Sequence, residues 1–111
     1  MQADVSDADR FERLFDEAEA AFDGSDVLVN NAGVIMLSPI VETPERHLDQ
    51  QVGVNLHGTF NGMCEAGKRL RPGGRIISIS SSMASLYLPT FGIYTATTSA
   101  IEAMTRMPMP A

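Results

Sequence analysis

Asp26-Val27-Leu28-Val29-Asn30-Asn31-Ala32-Gly33 is the stretch that decides how the rest of the chain is read. Val27, Leu28 and Val29 form a short, unbroken apolar run, the pattern of a parallel strand buried on both faces. The run stops at Asn30-Asn31, whose amides donate and accept hydrogen bonds. Ala32 and Gly33 then leave room for a ligand or a backbone to come close. Ligands of open α/β sheets sit just beyond the carboxyl ends of parallel strands. The stretch therefore predicts a strand over 26–30 with a polar ligand shelf at its tip.

Working outward, residues 2–5 read as the end of an earlier strand, and Ser6-Asp7-Ala8-Asp9 as a capping box. The spacing predicts a helix over 8–22, with Phe11, Leu14, Phe15, Ala18 and Phe22 on one face and Gly24 as its stop. Beyond the shelf, 34–42 reads as a loop around Pro39. Thr43 and Pro44 then cap and open a helix over 44–70. Its apolar face is expected to be Leu48, Val52, Leu56, Phe60 and Met63. Asn55 lies on or beside that face, and a buried Asn costs roughly 1–3 kcal/mol unless bonded, so it needs a partner. Gly53, Gly58, Gly62 and Gly67 make sense where another backbone packs close.

Arg71-Pro72-Gly73-Gly74 is a turn, and 75–79 is a second buried strand that ends in Ser80-Ser81-Ser82. A loop over 83–92 leads to a helix over 94–106, with Ala96, Ala100, Ile101 and Met104 as its apolar side. Pro108 and Pro110 forbid its continuation. Strand, helix, strand, helix is a βαβ unit with an expected right-handed crossover, so the fold class is α/β.

The chain has 111 residues, enough for a single domain over 1–111. A net charge of −6 argues against a nucleic-acid partner and against an anionic membrane surface. No apolar run approaches membrane-spanning length, and the first residues lack the features of a signal peptide. One cysteine, Cys64, excludes an internal disulfide and fits a cytoplasmic location. His47, His57 and Cys64 make no metal-ligand pattern, so no metal site is expected.

Three polar groups follow successive elements: Asn30-Asn31, Ser80-Ser81-Ser82, and Tyr94 at the start of the last helix. Both strand tips lie at one sheet edge, so these groups converge on one crevice. A Ser hydroxyl beside a Tyr phenol suits proton transfer at an oxygen, with Ser holding a carbonyl and Tyr supplying the proton. A free Tyr ionises near pH 10, so it needs a nearby cation to act as a base at neutral pH.

Four motifs in order, Asn30-Asn31-Ala32-Gly33, Val54-Asn55-Leu56-His57-Gly58, Ile79-Ser80-Ser81 and Tyr94, resemble those of the short-chain dehydrogenase/reductases. The resemblance runs from Asp4 to about Arg106. It implies a partial Rossmann-type sheet, NAD or NADP as cofactor, and hydride exchange with a small alcohol or carbonyl substrate. By position, it makes Tyr94 the general acid/base, Ser81 the hydroxyl that holds the substrate oxygen, and Asn55 the holder of a relay water. Asp4 and Val5 resemble the adenine-pocket pair, and Asn31, Ala32 and Gly33 the shelf beside the cofactor ribose. The two strands would correspond to the fourth and fifth of the family's order, with residues 2–5 as the stub of the third.

Two departures shape what is expected of the chain. Thr98 stands where the family places the Lys of Tyr-x-x-x-Lys, a residue that holds the nicotinamide ribose and lowers the Tyr pKa. The family's first strand and Gly-rich turn, and its later strands, have no counterpart here, so the chain reads as truncated at both ends. The expectation is an oxidoreductase lineage with impaired or silent catalysis in the isolated chain. The alternative is an interaction module, a homo-oligomer formed through helices 44–70 and 94–106.

Overall fold

In a computed structural model, the structure describes residues 1–82 and 86–107. Helix α1 (Ala8–Phe22) leads into strand β1 (Val27–Asn30). A 3-10 turn (Ile40–Glu42) precedes one long helical run: α2 (Glu45–Gln51), a π-helical turn (Val52–His57) and α3 (Gly58–Arg69). Strand β2 (Arg75–Ser78) and helix α4 (Gly92–Thr105) follow. The strands pair in parallel, with Val27 opposite Arg75 and Asn30 opposite Ser78. The α/β class and the parallel pairing stand as read from the sequence. Residues 83–85 of the expected loop and the Pro108–Pro110 stop lie outside the described residues.

Several local expectations are corrected. Residues 2–5 are not a strand: 2–4 carry no regular structure, and 4–7 form a turn in which the Asp7 N–H donates to Asp4 O. Asp7, not Ser6, caps α1, accepting from the N–H groups of Asp9 and Arg10, while the Ser6 hydroxyl turns back to Asp4. The left-handed residue that ends α1 is Asp23, at φ 64°, one position before Gly24. The Thr43 hydroxyl donates to Pro39 O in the 3-10 turn and leaves Pro44 as the uncapped start of α2. Helix α4 begins at Gly92, two residues before Tyr94.

The core lies between α1, α3 and one face of the sheet. Phe11, Phe15 and Ala66 are its buried centre, with Leu14, Leu28, Leu70 and Ile76 packed around them. Phe22, expected on the inner face, is 79% exposed, although its carbonyl and that of Asp23 accept from Arg71. The strands are not buried on both faces. Leu28 and Ile76 face the helices, while Val27, Val29 and Ile77 are about half exposed, a period-two alternation in which only one sheet face is covered among the described residues.

The long helical run also buries a different stripe from the one its apolar periodicity suggests. Gln51, Asn55, Gly58, Thr59, Asn61, Gly62 and Ala66 face inward, while Leu48 and Phe60 are exposed. Small residues win this face because the neighbours come too close for larger ones. A β-carbon at Gly58 would lie 2.6 Å from Val5 Cγ2, and one at Gly62 would lie 2.9 Å from Phe11 Cζ. Helix α4 follows the same rule, burying Thr95, Thr97, Thr98 and Ile101 and leaving Ala96 exposed.

Candidate functional site

The β1 tip divides its polar pair. Asn30 is buried and its Nδ2 donates to Ser78 Oγ at 3.3 Å, tying the ends of the two strands together. Asn31, Ala32 and Gly33 are exposed, so the shelf is open to a ligand. A cavity of about 130 Å³ lies beside it, walled by Val5, Phe11, Asn31, Ala32 and Gly58 among others. Val5 is held there by Asn61, whose Nδ2 donates to Val5 O at 2.9 Å. Asp4 is not part of that wall. It is exposed, and its carboxylate accepts from the Ser6 hydroxyl and N–H, which holds its pKa below the usual carboxylate value.

Asn55 is 2% exposed, and both hydrogens and the oxygen of its amide are bonded. Oδ1 accepts from the Val34 N–H at 2.8 Å, and Nδ2 donates to Val34 O at 2.8 Å and to Thr97 Oγ1 at 3.1 Å. Thr97 in turn donates to Tyr94 O at 2.8 Å. The structure thus joins the residue after Gly33 to the backbone of Tyr94 through two side chains. The π turn carries Asn55, with the Gly58 N–H reaching back five residues to Gly53 O. The Asn55 carbonyl accepts the Thr59 hydroxyl at 2.8 Å.

Tyr94 is half-buried two residues into α4, and Ser81 is half-buried just beyond β2. Thr98 is 3% exposed, and its hydroxyl turns back to Thr95 O at 3.1 Å. A neutral group bonded to its own helix holds no ribose and lends Tyr94 no charge. Ser80, the neighbour of Ser81, donates to Glu102 at 3.2 Å.

Two residues escaped the sequence reading. Thr97 links Asn55 to Tyr94, and its signal is its place three residues after Tyr94, where a hydroxyl reaches the helix carbonyl. Gln51 lies one turn before Asn55 and is 0% exposed. A polar residue at i and i+4 on one helix is the signal that was there to be found.

An NAD(P)-sized ligand needs roughly 300–1,000 Å³ of pocket, so the cavity of about 130 Å³ at Val5 has room for only a part of such a molecule. The small side chains of the shelf and the apolar Val5 wall suit a flat ring. The Thr98 end offers nothing that suits the nicotinamide ribose.

A family model described as enoyl-(acyl carrier protein) reductase matches residues 1–108. A short-chain type dehydrogenase/reductase of Picea abies is 41% identical over 110 residues, covering 96% of this chain. The chain spans 41% of that relative's length. A short-chain dehydrogenase/reductase of Serratia marcescens superposes with a TM-score of 0.89 at 32% identity, covering 94% of this chain and 48% of its own. A short-chain dehydrogenase of Burkholderia cenocepacia, solved in complex with NADP, superposes at 0.88 with 29% identity, covering 95% of this chain and 43% of its own.

Proposed function

Because this chain belongs to the short-chain dehydrogenase/reductase family, we propose that it carries the acid–base half of an NAD(P)-dependent alcohol/carbonyl oxidoreductase site. The observation that carries the reading is the bonded path from Val34, next to the Asn31–Gly33 stretch, through Asn55 and Thr97 to the backbone carbonyl of Tyr94. When bound, the cofactor supplies or takes the hydride. Tyr94 gives or takes the proton at the substrate oxygen, and Ser81 donates a hydrogen bond to that oxygen. Asn55 holds the relay water. Asp4 and Val5 flank the adenine, Val5 by contact and Asp4 from the rim. Asn31, Ala32 and Gly33 lie along the ribose. Residues 1–111 act as one domain in this reading.

With neutral Thr98 in place of a cation, Tyr94 loses the charged helper of the family's motif and turnover by the isolated chain is impaired. Thr98→Lys should raise carbonyl reduction by roughly 10²-fold over a panel of aldehydes and ketones. Titration of NADH and NADPH into the isotopically labelled chain should shift the amides of Val5, Asn31, Ala32 and Gly33. No shift with either cofactor, together with no turnover by the Lys variant, would sink the reading.

A second reading is a homo-oligomer through the long helical run and α4. Phe60, Met63, Cys64, Met104 and Met107 line one apolar hollow of about 230 Å³ on the outer side of these helices. That surface suits close packing of a second copy. Sedimentation of a monomer at high concentration counts against it.

A further inference from the structure

Among the described residues, Gln51 is the largest side chain that is fully buried. Its Oε1 accepts from the Met36 N–H at 3.4 Å, and its Nε2 donates to His47 O at 3.4 Å. Asn55, one helical turn on, holds both the N–H and the C=O of Val34. The segment between is extended in its burial: Val34 and Met36 are half-buried, while Ile35 and Leu37 are 50% and 55% exposed.

The two spacings match. Residues two apart on an extended chain are separated by about 6.6 Å, and residues four apart on a helix by about 6 Å. Two amides on one helix face therefore meet alternate backbone positions of 34–36, as a neighbouring strand would. The Gln51 bonds are long, so each adds little stability. An apolar side chain of similar length would fill the space without needing partners. What the amide adds is register, since it fits Met36 at one height only.

We propose that Gln51 is a positioning residue: with Asn55 it fixes the register of 34–36 against the helix and, through Asn55 and Thr97, the seat of Tyr94. Its significance for catalysis rests on the oxidoreductase reading, but its test needs neither cofactor nor turnover. A failed cofactor titration therefore leaves it standing, and its own failure leaves that reading intact.

The measurement is amide exchange and side-chain resonance position by NMR in the full 111-residue chain. In Gln51→Met, exchange at the Met36 amide should quicken roughly 2- to 10-fold. The Val34 amide and the Tyr94 ring resonances should move with it. Gln51→Glu, which with its carboxyl protonated makes both bonds, should restore all three. A change confined to Met36, with Val34 and Tyr94 unmoved, overturns the proposal and leaves Gln51 as a local packing group. A Tyr94 displacement that Gln51→Glu fails to reverse overturns it as well. Should the Met variant give no dispersed spectrum, the wild-type chain in mild denaturant decides. There the Val34 and Met36 amides must open with one common free energy, and separate opening overturns the idea.

Discussion

The long helical run is held to α1 by rings and charges, and to α4 by amides and hydroxyls. On the α1 side, Phe11 and Phe15 stack at 6.3 Å, and the Arg69 guanidinium sits 5.5 Å over the Phe15 ring. Arg69 also bridges to Asp16 at 2.6 Å and Glu19 at 2.8 Å, and donates to Glu12 O. On the α4 side, Asn55 donates to Thr97 among buried Gln51, Thr95 and Thr98, with Ile101 as the buried apolar residue of α4. Apolar burial is strong and non-directional, whereas each hydrogen bond adds little net stability but tolerates one geometry. One seam holds the molecule together, and the other holds the candidate site in shape.

Breaking the apolar seam should do the greatest damage. Phe15→Ala is expected to cost about 3–5 kcal/mol in urea unfolding, enough to unfold much of a chain this small. A cost under about 1 kcal/mol would mean the α1 seam is not the core. Asn55→Ala comes next. It strands the Val34 N–H and C=O, at about 1–3 kcal/mol per buried group left unpaired. Its mark is a displaced Tyr94 ring resonance, which Phe15 variants that still fold should not show.

Arg69→Met sharpens the comparison with the smallest effect. It keeps an unbranched side chain against Phe15 and removes the charge, so the loss should shrink in high salt. It should also alter the acid limb. The Arg69 guanidinium holds the Glu19 carboxyl below its ordinary value of 4.5 and is itself pushed up by the same pairing. A carboxylate lowered in the folded state favours folding above that ordinary value, and the contribution is lost as pH falls through the folded value. Stability of the wild-type chain should therefore decline below about pH 4.5, and more shallowly in Arg69→Met. Parallel acid limbs in the two proteins would show that the clamp does not act in solution.

Elements signalled locally were the legible ones. Helix α1 was read with its bounds, and the two strands to within a residue, because period and punctuation sit in adjacent residues. The inward side was legible for α1, where Phe11, Leu14 and Phe15 pack in the core, but not for the long helical run. Leu48 and Phe60 make a clear apolar stripe, but periodicity does not say where the neighbours stand. Close approach at Gly58 and Gly62 turned the polar and small stripe inward instead. Asn55 was flagged as needing a partner, yet Val34 and Thr97 are 21 and 42 residues away, so only the fold could name them. The π turn left no mark in composition, since its dihedrals stay in the ordinary helical region at both ends.

The parallel pairing also sets a timetable for the nascent chain. Asn30 and Ser78 are partners 48 residues apart, with the whole helical run between them. At about 5–20 residues per second of synthesis, β1 waits roughly 2–10 s for the strand that completes it. Through that interval the backbone groups of β1 that will pair with β2 have no strand partner, and the half-exposed Val27 and Val29 beside them leave an apolar edge open during translation.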